Sequence, residues 1–402
     1  MLRKMMVAVI LLMLAQLLTG CWSRRELNEL AIASAIGIDQ EGDQFRVSMQ
    51  IVNPGEVAAK MGGGGGYQTP VTVYTITAKT LLEAVRKATI TAPRKVYLAQ
   101  LRTIIIGESL AKNGIGKAMD FLVRDREIRE ENLYVLIAKG SRAEDVLKVL
   151  THLDKIPAAK IANAMKTLDK YWAPTSATKL EDIMYDLISG DKYPAMSGIM
   201  AAGKKGKGDS TKNVQTVDSP TILKFDGTGV FYKDRLVGWL NEEESKGYNY
   251  ITNRVVKTAG HYRCPGGGNV AIDVIRTRTQ VTAQMEKGEP SIHISLWLEG
   301  NIADFQCKMD LSEQANLREL ERLGGERLRA VVQAALDKVQ RELKTDVFGF
   351  GERFHQKYPK QWKKLKHDWD RRFPEIPVHI QTELRIRNTG TMNNSFYDVT
   401  KE

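Results

Sequence analysis

Alternating apolar and polar positions begin near Ala31. AIASAIGID, FRVSMQIV and VTVYTIT within 31–78 carry the period of two expected of strands, with Phe45, Val47, Met49 and Ile51 on one face. The glycine run at 62–66 between the last two cannot hold a regular element, because its backbone entropy is too large, and predicts a loop. It lacks the Lys-Ser/Thr of a phosphate-binding loop, which argues against nucleotide binding. Thr80 is placed to cap a helix through about Thr91, with Leu81, Leu82, Val85 and Ala88 on one face. TIIIG at 103–107 and LYVLIA at 133–138 read as strands, with helices over 109–123, 143–150 and a stretch from 155 to 187.

Around Ala201 periodicity gives way to AAGKKGKGDSTKNVQTVDSP, polar and rich in Gly and Lys, which predicts a linker at 203–219. Beyond it ILKFDGTGVFY reads as two short strands about an Asp226-Gly227 turn, followed by an element at Arg235–Leu240 and strands at 270–279 and 291–299. The segment 311–344 is the strongest helix, with Leu317, Leu320, Leu323, Leu328, Val332, Leu336, Val339 and Leu343 at mostly three- and four-residue spacing, a Gly324-Gly325 bend, and an Asp337–Arg341 pair. VHIQTELRIRN closes the chain as a strand. The fold class is α+β, multi-domain, with mixed or antiparallel sheets. The division is a signal at 1–20, an N-terminal α+β region at 21–202, the linker, and a C-terminal α+β domain at 220–402 holding the long helix.

The start of the chain changes the picture. Arg3 and Lys4 precede an apolar stretch through Leu18, shorter than the roughly 20 residues a spanning helix requires, so it reads as a cleaved export signal. Leu18-Thr19-Gly20-Cys21 resembles the lipobox of bacterial lipoproteins, which implies a diacylglyceryl lipid on Cys21 as the first mature residue and as the membrane anchor. A net charge of +11 would suggest nucleic acid in a cytosolic protein. In an exported one, it points to an anionic membrane surface, an acidic partner or simply a solvated basic surface.

No nucleophile with its base, no acid pair and no HExxH, GxSxG or CxxC occurs, so no catalytic residue, metal ligand or cofactor is assigned. The 6 histidines are scattered, and His355 and His367 read as surface or packing residues. For Cys264 and Cys307, a disulfide is open, with two buried free thiols favoured. The charged word from Asp120 to Glu131, with Arg124, Arg126 and Arg129, is either a docking surface or a solvated turn. In 346–373, Trp362, Leu365, Trp369 and Phe373 share a helical face, which favours packing on the domain's own sheet over lying on a membrane.

Several words are similar to the Ger(x)C lipoproteins, the C subunits of nutrient germinant receptors in spore-forming bacteria: GCWSRRELNELAIASAIGID, IIIGESLAKNGIGKAMDFLVRDREIR, VFYKDRLVGWLNEEES and DVFGFGERFHQKYPKQWKKLKHDWDRRFPEIPVHI. Ser23 stands where the family often has an acid. The resemblance implies a non-enzymatic subunit on the outer face of the inner spore membrane, working with integral-membrane A and B subunits. It also implies three α+β domains, with the region before the linker dividing near 138–142. It transfers only Cys21 as a functional residue, and no ligand-binding residue. The competing class is a solute-binding lipoprotein of a transporter, which needs two similar lobes about a cleft.

Overall fold

The computed structural model describes residues 1–6, 26–58 and 68–390, so Cys21 and the glycine run lie outside the described residues. Within TIIIG, Ile104 and Ile106 enter one apolar layer and Ile105 another. An uninterrupted apolar word is therefore a strand covered on both faces. Tyr134–Ala138 repeats this: Val135 and Ile137 enter the first layer and Leu136 the second.

The first sheet has nine strands: β1 Leu30–Glu41, β2 Gln44–Val52, β3 Val71–Ala78, β4 Lys95–Tyr97, β5 Thr103–Gly107, β6 Tyr134–Ala138, β7 Ala195–Gly203, β8 Thr221–Tyr232 and β9 Arg235–Leu240. Their order is β3-β2-β1-β5-β6-β7-β8-β9, with β4 paired to β1. The centre is parallel and both flanks are antiparallel, a mixed sheet as expected. One face carries α1 Leu81–Lys87, α2 Glu108–Asn113, α3 Gly116–Arg124 and α6 Leu180–Ser189; the other carries α4 Ala143–Leu147 and α5 Pro157–Tyr171. Thr80 caps α1, its Oγ1 accepting the Glu83 N–H at 3.2 Å.

The GID word at the end of the first strand motif has a physical reason. A Cβ on Gly37 would meet the Leu147 side chain at 2.9 Å, so glycine lets α4 lie against β1. Asp39 then accepts the N–H groups of Ala143 (2.8 Å) and Glu144 (3.2 Å) at the start of that helix.

The second sheet is β10 Thr258–Arg263, β11 Asn269–Glu286, β12 Glu289–Phe305 and β13 Val378–Asn388, in that order, with β12 and β13 parallel. The long helix α8 Gln314–Leu336 packs on one face, continues through a π turn at Asp337–Leu343, and is covered by α7 Glu242–Ile251. The Asp337–Arg341 pair is present at 3.2 Å. Gly324-Gly325 does not interrupt the helix: a Cβ on Gly324 would meet Leu384 at 2.3 Å, so the glycine admits β13. Three short helices, α9 Phe350–Lys357, α10 Pro359–Leu365 and α11 Trp369–Arg372, lead back to β13. No helix among the described residues is long and apolar enough to cross a membrane.

At two of the expected boundaries the connectivity of the chain is as follows. Residues 203–219 do not separate sheets but join β7 to β8, which pair antiparallel. The polar composition there is satisfied locally, since buried Asn213 donates to the carbonyls of Leu150 (3.0 Å) and Thr221 (2.9 Å). The change of sheet falls between β9 and β10, across α7. Residues 138–142 connect β6 to α4.

Smaller corrections have similar causes. Asp226-Gly227 is a bulge within β8, where Gly227 has φ +72°, and the turn comes at Lys233-Asp234. The helices expected at 109–123 and 155–187 are each two, parted at Gly114-Ile115 and at 172–179.

Cys264 and Cys307 are joined by a disulfide, which corrects the free-thiol reading. Arg263 pairs with Asn269 and Val270 with Phe305, so the ladder of β11 sets both cysteines at one end of it, 5.8 Å apart between Cα atoms. Their separation of 43 residues hides this in the sequence. Opening a loop of that length should lower unfolding free energy by about 2–4 kcal/mol. Denaturant unfolding should show that loss in a Cys264→Ser/Cys307→Ser variant, and reductant should weaken the wild type while leaving the variant unchanged.

Candidate functional site

The residue expected to carry the anchor, Cys21, lies outside the described residues, but the place where the chain enters the fold is defined. β1 starts at Leu30, which pairs with Lys95 of β4. Lys95 in turn forms an ion pair with Glu127, inside the charged word after α3. The entry point of the chain and the charged word are therefore neighbours at one end of the first sheet.

That word is organised by α3. Asp120 and Arg124 form an i,i+4 pair at 2.6 Å, and Asp125 turns the chain by accepting the Glu127 N–H at 2.8 Å. Arg124, Arg126 and Arg129 are exposed. Two of them, Arg124 and Arg126, border a groove of about 1140 Å³ between α1 and α3, which runs from the Asp43 hairpin to Lys95 and Glu127. Lys79, Arg86, Lys117 and Arg235 also face it, against acids that include Asp43, Asp120 and Asp234. Such a surface of both signs, in open solvent, gains little from its internal pairs and is suited to a partner of complementary pattern.

The aromatic segment is a clamp between the two sheets. Trp362, Trp369 and Phe373 are buried, as packing predicted. Asp346 accepts N–H groups from Gly349 (2.9 Å), Phe350 (3.1 Å), Gly351 (2.7 Å) and the Trp369 indole (3.0 Å). Burial pushes its carboxyl above the ordinary range, and these donors pull the other way. Asp191, just before β7, accepts from Lys366 (3.0 Å), Trp362 (3.3 Å) and His355. Burial alone would raise its carboxyl, but Lys366 and His355 hold it below the usual range. Tyr193 and Tyr232 donate to Asp370 at 3.1 and 2.9 Å. Residues of the last family-like word are thus bonded to β8 and to the chain leading into β7. His355 takes part in this clamp, and His367 is exposed.

A second concavity of about 350 Å³, the size of a small-molecule pocket, opens between α7, α8 and the second sheet. Tyr250, Tyr262, Ile272, Leu298 and Leu384 line it. Lys246 stands over the Trp172 ring at 4.6 Å, and Arg327 pairs with Glu243 at 2.6 Å on its rim.

One juxtaposition has no spacing signal at all. His293 and His379 are register partners on the parallel strands β12 and β13, their ring centroids 4.6 Å apart, with Glu286 beside them. Only correct pairing of the two strands, read together with their alternation, could have brought them together.

Residues 23–201 match the family described as the spore germination protein N-terminal domain, and residues 226–390 the one described as spore germination B3/GerAC like, C-terminal. Spore germination protein KC of Bacillus subtilis (strain 168) is 35% identical over 402 residues, covering 98% of both chains. Spore germination protein B3 of the same strain is 25% identical, covering 93% of this chain and 95% of its own. The crystal structure of the GerBC protein is similar in fold, with a TM-score of 0.56 at 21% identity, covering 88% of this chain and 97% of that one.

Proposed function

Because the chain belongs to the Ger(x)C family of spore germination proteins, we propose that it is a lipid-anchored, non-enzymatic subunit of a nutrient germinant receptor, acting by assembly with membrane-embedded A and B subunits. It sits on the outer face of the inner spore membrane, held by a diacylglyceryl group on Cys21. The observation that carries this reading is the place of the charged word. A fully extended link from Cys21 to Leu30 reaches only about 30 Å, so the Lys95–Glu127 end of the first sheet stays near the bilayer. Membrane-embedded partners would meet Arg124, Arg126 and Arg129 there. A transporter's solute-binding lipoprotein is disfavoured, because its two lobes should be alike. Here a nine-stranded mixed sheet accompanies a four-stranded one.

Reversing the charge of all three arginines, Arg124→Glu, Arg126→Glu and Arg129→Glu, should reduce recovery of the A and B subunits by affinity purification from spore membranes. The expected reduction is about tenfold or more, equivalent to ~1.4 kcal/mol. The thermal midpoint should stay put, since the three side chains are exposed. Undiminished recovery would show that the A and B subunits do not dock on this face.

A further inference from the structure

The second sheet has α8 on one face, and its other face is open. On that open face the hairpin Lys287-Gly288 turns β11 into β12, with Glu286 paired to Glu289 across it. Alternation sends His293 outward while Ile292 and Ile294 are buried, and the parallel register sets His379 beside it. Glu286 reaches back toward the pair: its Oε1 lies 3.0 Å from His293 Nε2 and accepts the Ser291 hydroxyl at 3.0 Å. One ligand atom from each of Glu286, His293 and His379 lies within 4.8 Å of the others.

We propose that Glu286, His293 and His379 form a binding site for one divalent transition-metal ion of the zinc class. Two imidazole nitrogens and one carboxylate oxygen suit zinc, nickel or copper, whereas calcium and magnesium take oxygen donors. Three protein ligands leave a fourth position for water. The ligand atoms need only close together by small side-chain rotations, since the strands already fix their Cα positions. Ser291 orients the carboxylate from outside the coordination shell, the arrangement that tunes metal ligands elsewhere. The ion would also join the hairpin to β13, the edge strand of this sheet. With Cys264 and Cys307 in a disulfide, neither is a free thiolate that could compete for the ion.

The test uses the full chain purified in detergent, with Zn²⁺ titrated calorimetrically and Co²⁺ followed by its visible absorption bands. One Zn²⁺ per chain is expected, with binding weakened at least about tenfold by either His293→Ala or His379→Ala. Glu286→Gln should weaken it too, and His367→Ala should leave it intact. Absence of stoichiometric Zn²⁺ binding would overturn the proposal, as would equal weakening by His367→Ala or displacement of Zn²⁺ by equimolar Ca²⁺. The circular dichroism of each variant should match the wild type, because all three ligands lie at the sheet surface. A result in which every variant folds and binds Zn²⁺ like the wild type also overturns it.

Discussion

Asp346→Asn should destabilise the protein by about 4 kcal/mol, although it changes one atom. Each carboxylate oxygen accepts two N–H groups: Oδ1 from Gly349 and Phe350, Oδ2 from Gly351 and Trp369. An amide must place its NH₂ against one of these pairs, and a buried donor left without an acceptor costs about 1–3 kcal/mol. Two N–H donors lose their acceptor at once, so the combined loss is about 2–6 kcal/mol. The site is fully enclosed, so water cannot replace the lost acceptor. Urea unfolding of the variant is the measurement. A loss below about 1 kcal/mol would mean that the clamp does not hold the short helices in place.

Cys21→Ala should release the protein from the membrane. The lipid is the proposed anchor, and each buried CH₂ contributes about 0.8 kcal/mol, so two acyl chains hold firmly where charge alone does not. A basic surface on an anionic bilayer is screened by salt, with a Debye length of about 3 Å at 1 M. High-salt and carbonate washes therefore separate the two contributions. Wild-type protein should stay in the membrane fraction through both washes and the variant should not. A variant that remains fully bound would show that the anchor lies elsewhere.

The parts of the fold legible in the sequence were those where one element decides the pattern. The apolar spacing from Leu317 to Val339 specifies α8, and doubly buried words such as TIIIG specify central strands. β7 was missed because AMSGIMAAG has small residues, no alternation and a polar neighbour that suggested a linker. Its identity as a strand comes from pairing with β6 and β8, which is tertiary information. The disulfide and the His293–His379 pair were hidden for the same reason, since each depends on strand register. Asp346 did leave a local signal. An aspartate three residues before a glycine with positive φ is a turn-forming arrangement, and Gly349 has φ +79°. Asp191, another acid of the clamp, has partners too far along the chain for any motif to show.

The most direct test of receptor function is a strain lacking this protein and every other C subunit of the family, with its spores exposed to nutrients. Nutrient-triggered germination should fail, while spore formation and germination by receptor-independent triggers proceed and nutrient uptake by growing cells is unchanged. Normal germination with every nutrient would contradict it, as would a defect confined to solute uptake during growth.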